Sequence, residues 1–167
     1  MEYKGSIMSF SQNLAMGEID DHGIRYVLMR PDVLMGIGKY AEGIPWETFL
    51  RALETSVTRH VAASFAQYQA DGRFSGSEYL EACCTIAASL GWGMWSVSAT
   101  EAGQIILEVQ NSPFAAASGP SSGTVCAPIS GVLRAISIAQ QWVTEVEEFC
   151  CVSRGDPICR FRIAHKA

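Results

Sequence analysis

Three cysteines and one glutamate toward the C-terminus have the types and spacing to hold a metal ion: Cys126, Glu148, Cys151 and Cys159. The last three fall within TEVEEFCCVSRGDPICRFRI, and Cys126 ends the Gly/Ser-rich stretch SGPSSGTVC. Thiolates bind borderline-soft cations such as zinc with partly covalent bonds, and four protein donors complete a tetrahedron. A site closed in this way is structural, because it leaves no position for an activated water. Spacing alone leaves rivals, Cys150 for Cys151 and Glu147 for Glu148. It also leaves the plain alternative of buried, inert cysteines beside a surface acid.

Side-chain parity along two predicted strands narrows the choice. In QWVTEVEEF, Trp142, Val146 and Glu148 share a face; in ICRFRIA, Cys159, Phe161 and Ile163 share a face, with Arg160 and Arg162 on the other. Glu148 then points to an apolar side. A carboxylate there is costly or takes up a proton, and a cation offsets that cost. The SRGDP turn returns Cys159 beside Cys151, and Cys126 must arrive from the loop before the next helix. Parity favours Glu148 over Glu147 but does not separate Cys150 from Cys151.

The elements that must position these residues read as one domain. A chain of 167 residues, 49% hydrophobic and 17% charged, is long and apolar enough for a substantial core. A net charge of -5 argues against a nucleic-acid surface. No segment resembles a signal peptide and none is apolar for the roughly 18 residues that span a bilayer, so the expected compartment is the cytoplasm. In a reducing compartment the six cysteines read as metal ligands or free thiols rather than disulfides.

Residues 1–18 are mixed and polar and are expected to form an N-terminal arm, with residues 19–167 as a single domain. GIRYVLMR reads as a strand. Pro31 opens a short helix that ends at Gly43. Residues 46–70 form a long helix, with Phe49, Leu53, Val57, Val61, Phe65 and Tyr68 at helical spacing. DGRFSG breaks it, and Ser75 or Ser77 caps a second helix through SGSEYLEACCTIAASLG, on which Cys83 and Cys84 are packing residues. WGMWSVSA and QIILEVQNS form a hairpin across TEAG. SPFAAASGPSSGT is read as a loop, then a helix over PISGVLRAISIAQ and the two closing strands. The fold class is α+β, an antiparallel sheet with helices packed on one side.

The stretch VQNSPFAAASG…VCAPISGVLRAIS…VTEVEEFCCVSRGDPICRFRI, with its terminal E-x-x-C-x7-C-x-F, resembles the 4-vinyl reductase domain family from about Tyr79 to Ile163. The resemblance implies a fold similar to TRAPP tethering subunits and haem nitric-oxide sensors, with a buried pocket for a hydrophobic small molecule. Phenol-sensing members carry zinc on Cys, Glu, Cys and Cys, which correspond here to Cys126, Glu148, Cys151 and Cys159. Those members hold the phenolic hydroxyl with a His and Trp pair that has no placement here, and QIILEVQNS contains no Trp. Other stand-alone members are linked to bacteriochlorophyll or bilin pathways.

Phe65, Tyr68, Trp95 and Phe114 are candidate pocket residues, although each also suits plain core packing. His60 reads first as a core or partly exposed histidine and second as a pocket polar group. SGPSSG lacks a following GK[ST], so it reads as a flexible loop rather than a phosphate cradle, and the family resemblance implies that this loop is a lid over the pocket. There is no dinucleotide fingerprint and no obvious acid–base pair. The sequence therefore predicts a zinc-stabilised binding domain, expected as a homodimer, that acts as a sensor or carrier through a partner protein. The alternatives are an enzyme or accessory subunit of tetrapyrrole metabolism, or an assembly protein without a ligand.

Overall fold

The computed structural model describes residues 10–72, 79–99 and 104–165. Two antiparallel sheets organise the chain. A small meander comes first, with β1 (Ser11–Asn13), β2 (Glu18–Asp21) and β3 (Ile24–Tyr26) in that order. The hairpin between β2 and β3 turns through His22 and Gly23, both at positive φ (52° and 83°), the two-residue turn that matches strand twist. Gln67 donates to the His22 carbonyl at 2.8 Å and ties this hairpin to the long helix.

Two expectations change here. Residues 11–13 and Glu18 are paired strand residues rather than a loose arm. The strand expected through Arg30 stops at Tyr26, and Val27 and Leu28 run on exposed. Pro31 then opens α1 (Pro31–Tyr40) as the sequence indicates.

The long helix α2 (Trp46–Ala70) has the expected bounds, and α3 (Tyr79–Ser89) follows. The proposed caps Ser75 and Ser77 and the TEAG turn lie outside the described residues. The main sheet has the order β4-β5-β7-β6, from β4 (Met94–Ala99), β5 (Ile105–Gln110), β6 (Thr144–Cys150) and β7 (Cys159–His165). Its inner face carries Trp95, Leu107, Val109, Val146, Cys159, Phe161 and Ile163, all buried. Burying each large apolar side chain contributes about 1.5–3 kcal/mol. Its outer face pairs charges across strands, Arg160 with Glu108 at 2.8 Å and Arg162 with Glu147 at 3.2 Å.

Helix α5 (Ala127–Ala139) lies in the core, with Ile129, Leu133, Ala135 and Ile136 fully buried. Gly131 lets α2 approach it closely, since a Cβ there would sit 2.8 Å from the Glu54 carbonyl oxygen. No strand begins at Gln141. That residue takes φ 56°, Trp142 N–H closes back on the Ser137 carbonyl at 2.9 Å, and β6 starts only at Thr144. The expected loop after β5 contains a helix, α4 (Pro113–Ser118). Asn111 turns at φ 58°, the Ser112 hydroxyl accepts from Ala115 N–H, and Pro113 occupies the first turn.

Candidate metal centre and pocket

Cys126 is the residue before α5, Glu148 lies on β6, Cys151 follows β6 directly and Cys159 opens β7. Their ligand atoms all lie within 4.8 Å of one another. The sulfurs of Cys126 and Cys159 are 3.6 Å apart and those of Cys159 and Cys151 are 4.0 Å apart. These are far beyond a disulfide bond of about 2.05 Å, and all six cysteines are free thiols.

A bulge explains what parity left open. Glu148 opposes Phe161 in the register, but Cys150 opposes Arg160, so the pairing shifts by one residue between them. The shift puts Glu148 opposite an inward residue and Cys150 opposite an outward one. Cys151, past the strand end, swings in instead. The 3-10 turn Val152–Arg154, closed by Gly155 at φ 96°, then reverses the chain. Asp156 accepts from Cys151 N–H at 2.7 Å and holds that turn shut. Glu147 pairs with Arg162 on the outer face and takes no part in the cluster.

The four donors could hold a metal ion. Glu148 Oε2 accepts from Cys126 N–H at 2.9 Å, but its buried Oε1 has no hydrogen-bond partner. Burial, aided by the neighbouring Cys151, pushes the Glu148 carboxyl up to about 8. Hydrogen bonding to Cys151 and Cys159, together with burial, holds the Cys126 thiol far above its ordinary range. The bonds from Cys126 and Cys159 pull Cys151 far below its own. Further groups brace the ligands: Ser112 Oγ lies 3.2 Å from Cys126 Sγ, Ser153 Oγ lies 3.0 Å from Cys151 Sγ, and Val152 N–H donates to Cys159 Sγ at 3.4 Å.

A second feature lies between α2, α3, β4 and α5, a cavity of about 150 Å³. Phe65, Tyr68, Cys83, Ala87, Trp95 and Val132 are on its wall, with Tyr26 reaching in from β3. Of the five pocket residues predicted, Phe65, Tyr68 and Trp95 meet here. Phe114 instead lines an adjoining cleft of about 420 Å³ that shares Tyr26, Leu90 and Trp92 with the cavity, and its ring meets Trp92 edge-on at 4.9 Å. His60 is exposed on another face of α2, beside Arg51 and Arg59, so it is a surface residue and no part of this pocket.

Sequence reasoning missed Tyr26 and Asp21. Asp21 is fully buried and accepts from the Tyr68 hydroxyl at 2.7 Å. Only the folded meander brings them to α2, and no local motif announces a contact across 47 residues.

Fold and site together define an α+β domain with a partly open apolar cavity and a separate four-donor cluster that could hold a metal ion. No family model matches the chain, and no curated protein sequence matches it. Solved structures do match. The phenol-responsive sensory domain of the transcription activator PoxR, solved with phenol, superposes with a TM-score of 0.77 at 15% identity, covering 93% of this chain and 84% of that one. A trafficking protein particle complex subunit 3 from Naegleria fowleri, covalently bound to palmitic acid, gives 0.54 at 11% identity, covering 82% and 95%. An H-NOX protein from S. oneidensis gives 0.52 at 10% identity, covering 81% and 73%. A vinyl-4-reductase family protein from Methanocaldococcus jannaschii gives 0.44 at 18% identity, covering 87% and 100%. At these identities the property shared with the sensory, trafficking and H-NOX structures is the fold.

Proposed function

We propose that this protein is a zinc-stabilised binding domain for a small hydrophobic or aromatic molecule, working as a sensor or carrier module through a partner protein. The apolar cavity, partly open toward the adjoining cleft, is the observation that carries this reading. An apolar cavity of about 150 Å³ in another protein holds benzene, so a space of this size suits one aromatic ring. The wall offers aromatic faces, aliphatic groups and a few hydroxyls, with no carboxylate, histidine or lysine among the described residues. That composition suits holding a molecule rather than transforming it. The likeness in fold to a phenol-responsive sensory domain points the same way. A four-ring tetrapyrrole exceeds the inner cavity and would need the adjoining cleft as well.

Zinc fits the cluster. At Zn–S bonds near 2.3 Å, tetrahedral sulfurs stand about 3.8 Å apart, and the observed separations of 3.6 and 4.0 Å bracket that value. The orphaned Glu148 Oε1 supplies an oxygen donor without a competing bond. When bound, the ion would supply cross-linking and no catalysis, its four positions being filled by protein. It would pin the loop before α5 to β6 and β7. Through Ser112, which touches Cys126 and caps α4, it would steady Phe114 and the Trp92 ring on the cavity wall.

Native mass spectrometry of the protein purified from its own host tests the reading in one spectrum. The expected species is a homodimer with one zinc per chain and a retained small molecule. A protein that carries no ligand and shows no thermal shift with any one-ring aromatic would refute the ligand reading.

A further inference from the structure

We propose that the ligand is a two-part molecule, an aromatic ring seated in the cavity and an uncharged apolar arm of several carbons lying in the adjoining cleft. This inference rests on the ligand-binding reading above and adds to it the shape and polarity of the molecule that fits.

Exposure rises in steps along one path out of the cavity. Phe65, Cys83 and Trp95 on the inner wall are buried. Tyr26, Leu90 and Trp92 line both spaces and are half-buried. Val27, Leu28 and Met29 line the cleft alone and are 76%, 82% and 52% exposed. The three shared residues form a neck between a ring-sized interior and an open apolar trough. The rim residues belong to no element, since β3 ends at Tyr26 and α1 begins at Pro31. A run of exposed apolar side chains marks a surface that something covers. Continuity with the cavity names the occupant: a molecule whose ring sits beyond the neck sends its substituent along the cleft. Volume agrees. The cavity of about 150 Å³ alone falls below the roughly 300–1,000 Å³ of ordinary ligand sites, and the cleft of about 420 Å³ brings the two together into that range. Polarity sets the chemistry of the arm. Among the described residues the cleft is lined by no Asp, Glu, Lys, Arg or His. Its polar side chains are the two rings of the neck, Gln12, which is exposed on β1, and Ser89, whose hydroxyl donates to the Ile86 carbonyl at 2.7 Å. A charged arm would give up water with no opposite charge to meet it.

The zinc-loaded full chain, titrated by its tryptophan fluorescence with toluene, n-butylbenzene and 4-phenylbutyrate, tests this. Toluene reports the cavity alone. Each methylene moved from water into the cleft should tighten binding about two- to fourfold, so n-butylbenzene is expected to bind at least about tenfold tighter than toluene. The carboxylate-ended arm of 4-phenylbutyrate should bind more weakly than n-butylbenzene. Leu28→Ser combined with Met29→Ser strips the rim at exposed positions, and Ser89→Trp lays an indole across the cleft from another exposed position. Both should remove most of the n-butylbenzene gain and leave toluene affinity unchanged, which also shows that the variants fold. Equal affinity for toluene and n-butylbenzene in the unmodified protein would overturn the proposal and leave the one-ring cavity reading intact; a cleft already covered by a second copy of the chain gives that result. A gain that survives both cleft variants would overturn it too, because the arm would then lie elsewhere. Tighter binding of 4-phenylbutyrate than of n-butylbenzene would overturn the uncharged arm. If none of the three probes binds, the ligand reading itself fails and this inference falls with it.

Discussion

Replacing Glu148 by glutamine separates what this side chain does with and without metal. In the metal-free fold its carboxyl is pushed from an ordinary value of 4.5 up to about 8, chiefly by burial. A folded-state value above the unfolded one favours the fold at low pH, and that advantage is lost as pH rises through about 8. At about 1.36 kcal/mol per pH unit, the shift amounts to about 5 kcal/mol at most, an upper bound because solvent and side chains relax around the charge. Metal-free wild type should therefore lose several kcal/mol of stability between pH 5 and pH 8.5 from this group. Metal-free E148Q should lose none from this position, since a neutral amide replaces the carboxyl and keeps an oxygen for Cys126 N–H. With zinc the order reverses: wild type is the more stable form, and the variant binds the ion at least about a hundredfold more weakly, having lost a direct ligand. Urea unfolding at both pH values, after chelation and after zinc loading, measures all four states. The reasoning is refuted if E148Q destabilises the metal-free protein at pH 8.5 as much as the zinc-loaded one, because Glu148 would then be stabilising the fold without a cation.

Cys159→Ser should bind zinc far more weakly and lose about 3 kcal/mol or more of stability in zinc, while matching wild type after chelation; unchanged metal content would contradict the ligand assignment. Zinc binding should release protons between pH 6 and 8.5, and its affinity should rise with pH over that range, as Glu148 and the thiols must give up protons to the ion; chelator competition at several pH values reads this directly. Ala87→Leu places added carbons into the 150 Å³ cavity and should abolish toluene binding without loss of zinc, with unfolding free energy unchanged or raised by about 1–2 kcal/mol through new apolar burial. Gly131→Ala forces a Cβ to 2.8 Å from both the Glu54 carbonyl oxygen and the Val57 Cβ, and should cost about 1–3 kcal/mol by thermal unfolding.

Much of this architecture was legible because periodicity and punctuation agreed. The helical repeat of Phe49 to Tyr68 fixed α2, and strand alternation put Glu148, Cys159, Phe161 and Ile163 on their observed faces. Alternation could not choose between Cys150 and Cys151, because the deciding event is a bulge and a bulge resets the parity on which the reading depends. Helix α4 is legible in the sequence, because Asn111, Ser112 and Pro113 supply a turn, a cap and a first helical residue. Gln141 gave no warning, since a helix that ends on a left-handed glutamine lacks the expected glycine. The pocket was half visible. Phe65, Tyr68 and Trp95 follow from their apolar stripes. Asp21 and Tyr26 do not, because they belong to a meander whose place against α2 is set by long-range bonds. His60 borders the apolar stripe of α2 but falls on its exposed side, a difference of one helical position.

Zinc-edge X-ray absorption on the purified protein, with metal quantified on the same sample, tests the central claim most directly. One zinc per chain, with three sulfurs near 2.3 Å and one oxygen near 2.0–2.2 Å, is the predicted result. A zinc-supplemented protein that holds less than a tenth of an equivalent of metal, or a bound ion with fewer than three sulfur neighbours, would contradict it.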